Sequence, residues 1–256
     1  MNLRNIILSK KIFLLFDELN AFKEDLFNSF TNYLGDCIQV DIFFHHFNTK
    51  VFAKLIEDNL GDYNYYVIMP ANVANSNKSI ALLPLDKVYL LDQTNDELTR
   101  YPAVFQNFQN NVFEGLKEVV PLVKKYSKIV LLYSDTRQPK GILDGLKKFC
   151  YTYDFSYEVL EELGNRNPSK GELFFILEDR DLVLMIKKAK DEDLSLGIDY
   201  GIISYNETLL KEIVADGITT ISTDFKLMGQ RLAKMILNKE FAQVENPHYL
   251  IIRKSL

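Results

Sequence analysis

The sequence predicts an α/β fold in which two parallel sheets are each covered by helices. Short apolar segments recur along the chain, and amphipathic segments with helical spacing separate them. Strand and helix alternate about six times or more, which is typical of parallel sheets because each strand then needs a helical crossover to return to the same edge. Roughly ten strands would make one sheet unusually wide, so two smaller sheets explain the pattern better.

The N-terminal part of the chain is predicted to begin with a buried strand and an amphipathic helix. Residues 11–16 (KIFLLF) are almost entirely apolar, as in a strand covered on both faces, and residues 21–33 repeat apolar positions at helical spacing. A second helix at 49–60 ends beside Gly61, a common helix terminator, and residues 72–77 are polar and loop-like. Further strands are predicted at 37–44, 65–69, 88–91 and 103–105.

The same alternation continues through the rest of the chain. The helix at 181–190 ends in several lysines, which suit the negative end of the helix dipole. The other helices are predicted at 110–126, 139–151, 207–215 and 225–237. The strands are predicted at 128–133, 155–160, 172–177, 200–204, 218–222 and 249–252.

The composition is that of an ordinary globular protein with one or two domains. The chain has 256 residues, of which 47% are hydrophobic and 25% charged, and its formal net charge is −5. Binding to a nucleic-acid backbone needs an excess of cations. We therefore expect any DNA contact to come from a local patch or from a part of the protein outside this sequence.

The cysteines and the apolar runs favour a cytoplasmic protein. Cys37 and Cys150 are far apart and form no CxxC pair, so two free thiols in a reducing compartment are expected rather than a disulfide or a zinc site. No apolar run reaches the length of about 18 residues that a membrane span needs. The apolar patch near the N-terminus is too short for a signal-peptide core.

The usual catalytic and cofactor motifs are missing from the sequence. Its glycines do not form a dinucleotide-binding or P-loop pattern, and neither a GxSxG elbow nor an HExxH helix occurs. His45 and His46 are adjacent, so on a strand they would face opposite ways and could not hold one metal ion together. These results predict a protein that is not an enzyme and that carries no cofactor and no metal.

Polar residues follow the predicted strands at the positions where α/β proteins bind ligands, beyond the carboxyl ends of the strands. Turns are polar in any protein, so the pattern alone leaves a purely structural explanation open. The alternative is a hydroxyl-rich ligand with an aromatic ring such as Phe108 against its apolar face. Only a few cations, such as Arg137, lie at these positions, which favours a neutral ligand over a phosphorylated one.

Four segments near the C-terminus resemble the effector-binding domain of lactose-repressor-type (LacI/GalR) transcription regulators. They are residues 200–208 (YGIISYNET), 217–229 (GITTISTDFKLMG), 231–237 and 250–255 (LIIRKS). They match, in order, a strand ending in a polar turn, an LTT-x-x-x-D/P-F-x-x-x-G segment with its helix, and a closing L-x-x-R-x-S. Weaker matches occur upstream at 90–92 (LLD), 128–133, 145–149 (GLKKF) and 177–179 (LED).

The resemblance implies a type I periplasmic-binding-protein-like fold, with two Rossmann-like parallel-sheet lobes joined by three crossovers. It implies an N-terminal lobe of residues 1–105 and 225–243 and a C-terminal lobe of residues 106–224 and 244–256. Residues 1–10 are then expected to be the remnant of a linker.

The resemblance also implies a ligand site between the lobes. It places Asp92, Asn206 and Phe225 where such proteins often contact a sugar. Glu178 stands where asparagine is common, and Lys140 is close to the position of a usual arginine. Asp179 matches the family pattern and is expected to cap the next helix. Together with the strand-end pattern, the predicted ligand-binding residues are Asp17, Phe22, Asp92, Gln106, Lys140, Glu178, Asn206 and Phe225.

The function implied is that of the sensing and dimerisation domain of a sugar-responsive bacterial transcription regulator. A monosaccharide effector would close the inter-lobe cleft of a homodimer and change the affinity for operator DNA. A DNA-binding head outside this sequence, of the helix-turn-helix kind or the GntR winged-helix kind, would contact that DNA. A sugar-binding protein of a transport system with the same fold is the main alternative, and a hydrolase or isomerase with clustered carboxylates is a second one.

Overall fold

Two six-stranded sheets form the framework of the computed structural model, which describes residues 10–256. The chain divides into two units, which are described separately. Unit 1 contains the described residues up to Phe105 together with Phe225–Asn246, and unit 2 contains Gln106–Asp224 and Pro247–Leu256. The chain therefore passes from one unit to the other three times, and the predicted pair of α/β sheets is confirmed.

The strands and helices alternate along the chain as the sequence predicts. The strands are β1 Lys10–Phe16, β2 Ile38–Phe44, β3 Tyr65–Ile68, β4 Val88–Asp92, β5 Ala103–Phe105, β6 Lys128–Leu132, β7 Ser156–Leu160, β8 Glu172–Ile176, β9 Gly201–Tyr205, β10 Thr219–Thr223, β11 Gln243–Glu245 and β12 His248–Ile251. The helices are α1 Ala21–Leu34, α2 Thr49–Asp58, α3 Ser76–Ile80, α4 Phe108–Glu118, α5 Val120–Val123, α6 Lys140–Tyr153, α7 Asp179–Asp191, α8 Leu209–Ile213 and α9 Phe225–Asn238.

The sheet of unit 1 has the strand order β11-β5-β4-β3-β1-β2, and all neighbouring strands are parallel. β1 lies inside this sheet, so its apolar residues are buried on both faces. One face packs against Leu26 of α1 and Met228 of α9, and the other packs against Phe52 of α2. Because all these strands are parallel, their carboxyl ends lie at one edge of the sheet.

The sheet of unit 2 has the order β12-β10-β9-β8-β6-β7, in which only the edge strand β12 is antiparallel to its neighbour. One face packs against Val112 of α4 and Leu146 of α6, and the other packs against Leu182 of α7. The parallel strands again bring their carboxyl ends to one edge. Each unit therefore has one edge at which the predicted ligand residues can meet.

Several predicted boundaries differ from the structure. The helix predicted at 110–126 is divided into α4 and α5, because Pro121 cannot continue the hydrogen bonding of α4. The helix predicted at 207–215 is only the five-residue α8, and Ala215 beyond it has a left-handed φ of 50°. The predicted loop at 72–77 runs into the start of α3.

The last predicted lobe boundary, between residues 243 and 244, also differs. Residues 243–245 form β11, which pairs with β5 in the sheet of unit 1, so the chain enters unit 2 only at Pro247. The predicted linker at 1–10 lies outside the described residues except for Lys10, which is the first residue of β1. Cys37 and Cys150 are free thiols, as expected. Among the helices of residues 10–256, none combines the length and the apolar composition that a membrane span requires.

Candidate ligand-binding site

Asp17 lies directly after β1 at the carboxyl edge of unit 1, where its carboxylate is buried. Its Oδ1 atom accepts a hydrogen bond from the buried ammonium of Lys23 and another, at 2.6 Å, from the amide of Glu18. Asp17 was predicted from the sequence but Lys23 was not, since a lysine in the first turn of a helix gives no signal of burial. The Asp17 carboxylate is thus part of an ion pair that ties α1 to the end of β1.

Phe22 and Phe225 are the two predicted aromatic contacts of unit 1, and the structure brings them together. Their rings stack with centroids 4.6 Å apart and an interplanar angle of 27°. Phe225 is the first residue of α9 and is buried, whereas Phe22 is half-buried. The stack joins the amino-terminal ends of α1 and α9.

Asp92 is the last residue of β4 and is buried with a left-handed φ of 71°. Aspartate tolerates this region better than most residues, so the strand can end in a sharp turn at this point. The Oγ1 atom of Thr94, two residues further on, is buried and has no hydrogen-bond partner among the described residues. A buried hydroxyl without a partner is uncommon in native proteins and often indicates a ligand or an ordered water.

His45, which follows β2, is buried at the same edge of unit 1. Its Nε2 atom lies 3.1 Å from the carbonyl oxygen of Met69, and its Nδ1 atom lies 3.2 Å from the amide nitrogen of Phe47. The amide can only donate and the carbonyl can only accept, so a neutral ring protonated at Nε2 satisfies both contacts. Burial lowers the pKa of His45, although the nearby Asp17 carboxylate opposes this.

Gln106, Tyr205 and Asn111 form a buried polar cluster in unit 2. The Tyr205 hydroxyl donates to Oε1 of Gln106 at 3.1 Å and accepts from Nδ2 of Asn111 at 3.3 Å. The ring of Phe108 lies against Tyr205, with 5.9 Å between centroids. The Oδ1 atom of Asn111 is buried and has no hydrogen-bond partner among the described residues. Asn111 was not predicted, because an asparagine inside a predicted helix has no strand-end signal.

Asn206 follows β9 with a left-handed φ of 62°, and its side chain ends in a buried amide oxygen. That Oδ1 atom has no hydrogen-bond partner within the described part of the chain. The backbone around it is well satisfied, since the Asn206 amide donates to the carbonyl of Ile221 at 2.8 Å. Asn206 is therefore a fixed acceptor that lacks a donor.

Glu178 and Lys140 are the other two residues predicted in unit 2, and their surroundings differ. Glu178 is half-buried, and its Oε1 atom accepts from Nε2 of Gln138 at 3.1 Å, so it belongs to the polar edge. The Lys140 side chain is 83% exposed and lies 4.0 Å from Asp144 of its own helix. The structure therefore does not bring the Lys140 ammonium into the buried polar cluster.

The prediction that Asp179 caps the following helix is wrong. The N-cap position of α7 is Glu178, whose side chain makes no capping hydrogen bond. Asp179 is the first residue of α7, and its Oδ1 atom lies 3.2 Å from the buried ammonium of Lys211. Lys211 was not predicted, because its burial depends on the turn that follows β9.

The closing LIIRKS motif has a structural role in this chain. Arg253 binds both carboxylate oxygens of Glu207, with distances of 3.0 and 2.8 Å. The Ser255 hydroxyl accepts from the amide of Thr219 at 2.7 Å and donates to the carbonyl of Ile202 at 2.6 Å. These contacts fix the C-terminal segment to β9 and β10.

The polar side-chain groups at the carboxyl edges of the two sheets, where a ligand is predicted to bind, are mainly amide, hydroxyl and carboxylate oxygens. Within residues 10–256, no group of three histidine, cysteine, aspartate or glutamate side chains could hold a metal ion. Oxygen acceptors without their own donors are suited to a ligand that supplies O–H groups.

Among the comparisons with known proteins, only the one with solved structures bears on the fold. No protein-family model and no curated protein sequence matches the chain. Among solved structures, a LacI family transcriptional regulator from Silicibacter pomeroyi is 14% identical with a TM-score of 0.80, covering 96% of this chain and 98% of that one. The chain has the fold of LacI-type effector-binding domains.

Two further solved structures of this fold contain sugars. A LacI family transcriptional regulator from Enterococcus faecium with bound ribose is 18% identical, with a TM-score of 0.77 and coverage of 96% of this chain and 98% of that one. A periplasmic binding protein/LacI transcriptional regulator from Alkaliphilus metalliredigens, complexed with D-xylulofuranose, is 12% identical, with a TM-score of 0.75 and coverage of 96% and 99%. The type I periplasmic-binding-protein-like fold predicted from the sequence is thus confirmed.

Proposed function

We propose that this chain is the sugar-sensing domain of a bacterial transcription regulator, and that its effector is a small neutral carbohydrate. The observation that carries the proposal is the buried Oδ1 atom of Asn206 at the carboxyl end of β9, which has no hydrogen-bond partner within residues 10–256. A buried acceptor without a donor costs about 1–3 kcal/mol, and a ligand hydroxyl would recover this cost. The sugars in two solved structures of the same fold support this class of ligand.

The charges at the two edges favour a neutral ligand over a phosphorylated one. Phosphate recognition normally uses arginine pairs or uncommitted backbone amides at a helix start. The buried cations Lys23 and Lys211 instead bind Asp17 and Asp179 of the same unit. The groups that bind hydroxyls would be acceptors such as Asp92 in unit 1 and Asn206 in unit 2, and the Phe22–Phe225 stack of unit 1 would offer apolar surface.

Regulation would follow from a difference in effector affinity between two conformations of the domain. A coupling free energy of about 1–3 kcal/mol between effector and DNA is sufficient for useful control. We propose that the domain acts as a homodimer and that a DNA-binding head outside the 256 residues contacts the operator. The effector would change the fit of the paired heads to their half-sites.

The effector is tested by thermal unfolding with a panel of pentoses, hexoses and their phosphates. A ligand present at about 100 times its Kd should stabilise the folded state by about 2.7 kcal/mol, and calorimetry then gives the affinity. Asn206→Ala and Asp92→Ala should each weaken binding of the best sugar by tenfold or more, beyond the loss of stability that follows from placing alanine in a left-handed conformation. Tenfold corresponds to about 1.4 kcal/mol, the size of one good hydrogen bond.

A matched control is Asn167→Ala in unit 2, which removes an amide that donates to Glu192 before β8, at the other end of the strand. This variant should bind the sugar like the wild type. Normal binding by both Asn206→Ala and Asp92→Ala would refute the assigned site.

The regulatory role is tested on the full-length protein with operator DNA at fixed salt. Adding the sugar should change the affinity for DNA, and a transport protein of the same fold would show no such response. The sugar recovered after incubation should be chemically unchanged, since turnover would indicate the hydrolase or isomerase alternative.

A further inference from the structure

Lys211 on α8 is almost completely buried, with 1% of its surface exposed, next to the turn that carries Asn206. Its ammonium donates to the carbonyl oxygens of Tyr205 and Asn206, both at 2.8 Å, and lies 3.2 Å from Oδ1 of Asp179. An ammonium has three N–H donors, so these three acceptors satisfy it fully. The side chain thereby joins the segments that follow β8 and β9.

The two carbonyl contacts depend on the left-handed conformation of Asn206. Successive carbonyls of an extended strand point in opposite directions, so a single cation cannot meet both of them. At Asn206, where φ is 62°, the backbone turns and both carbonyls face the Lys211 ammonium. A non-glycine residue in this region is strained, so contacts that require the turn also stabilise it.

Burying a lysine at this position costs more free energy than burying an apolar side chain, so packing alone does not explain it. Burial lowers the pKa of Lys211 because desolvation disfavours the charged form, and Asp179 opposes the shift. Replacing a buried ion pair by apolar side chains of similar volume is often neutral or stabilising. A methionine would occupy nearly the same volume but could not select a backbone conformation by hydrogen bonding.

We propose that Lys211 is a positioning residue, which holds the turn after β9 so that the Asn206 amide oxygen meets a hydroxyl of the effector. This inference rests on the proposed function, because it concerns the same site. Lys211 itself does not touch the effector; it acts through the backbone of Asn206.

The test is a double-mutant cycle between Lys211→Met and Asn206→Ala, with sugar affinity measured by calorimetry. Lys211→Met alone should raise the Kd for the best sugar by tenfold or more. In the Asn206→Ala background the same change should leave the Kd unaltered, because the side chain that Lys211 positions is already gone. Additive effects of the two substitutions would overturn the inference, since a general loss of stability would weaken binding in both backgrounds.

The control for the substitution itself is Lys128→Met. Lys128 pairs with Glu158 and Glu172 at the start of β6, at the amino end of the strands of the same unit. Its replacement should lower stability without changing sugar affinity. If Lys211→Met does not fold, the double variant Lys211→Met/Asp179→Asn replaces it in the cycle, because this variant removes both charges of the ion pair.

Amide hydrogen exchange without sugar separates this inference from the proposed function. The Asn206 amide, which donates to the Ile221 carbonyl, should exchange faster in Lys211→Met than in the wild type and in Lys128→Met. If no sugar binds the wild type, the proposed function fails, while exchange still shows whether Lys211 holds the turn. If sugar binds and exchange at Asn206 is unchanged in Lys211→Met, only the positioning role is refuted.

Discussion

Replacing Lys23 by methionine should destabilise unit 1 far more than the loss of an ordinary surface ion pair. Both side chains of the Lys23–Asp17 pair are 6% exposed, so the substitution leaves a buried carboxylate without its cation. Removing one partner of a buried pair costs about 3–5 kcal/mol. For a chain of this size, this corresponds to a melting temperature lower by roughly 6–20 °C.

The matched control for the loss of stability in Lys23→Met is the variant Lys54→Met. Lys54 and Asp58 form an ion pair of 2.8 Å on the surface of α2, with 74% and 55% of their side chains exposed. Losing such a solvent-exposed pair should change the free energy of unfolding very little. Scanning calorimetry of both variants at one pH and salt concentration gives the difference. Equal losses would mean that water reaches the Lys23–Asp17 pair, and would refute the inference that burial makes its loss costly.

Three further predictions concern stability. Gly229→Ala should cost about 1–3 kcal/mol by urea unfolding, because a Cβ atom there would lie 2.5 Å from the Leu26 carbonyl oxygen, and backbone cannot move away easily. The lowered pKa of His45 means that the unfolded chain binds its proton more readily, so stability should fall as the pH drops below about 6.5. His45→Gln should flatten that part of the profile, and an unchanged profile would contradict the assignment. Arg253→Met should lower the free energy of unfolding by about 1.5–3 kcal/mol, because the hydrogen bonds to Glu207 are lost. The same variant should leave the sugar affinity unchanged.

The sequence predicted those parts of the fold that depend on local patterning. β1 is recognisable because burial on both faces requires an unbroken apolar run at 12–16. β11 was missed because it depends on a partner that is distant in sequence, and α8 was predicted too long because a left-handed residue that the sequence does not reveal follows it. β11 exists through its pairing with β5, and α8 is limited by the left-handed residue Ala215. No periodicity within so few residues could show either constraint.

The residues of the candidate site could likewise be predicted only where the local sequence pattern shows them. Asp92 and Asn206 stand at strand ends, where a parallel sheet collects ligand residues, and both have the left-handed backbone that a sharp strand end needs. The strand-end rule does not find Lys23, Lys211 or Asn111, which lie inside helices. Their burial is a property of the folded chain, so only the three-dimensional structure reveals it.

The two buried lysines explain how edges rich in carboxylates can favour an uncharged ligand. In unit 1 the Lys23 ammonium neutralises Asp17, and in unit 2 the Lys211 ammonium neutralises Asp179. Each cation is used within its own unit, which removes two negative charges without offering a positive group to an anion. Among residues 10–256, the buried side-chain oxygens without hydrogen-bond partners include those of Thr94, Asn111 and Asn206, whose interaction with a ligand would depend on hydrogen-bond direction. If the proposed effector is a sugar, such groups would distinguish one sugar from another by the orientation of its hydroxyls, because a misplaced hydroxyl leaves a buried acceptor unpaired.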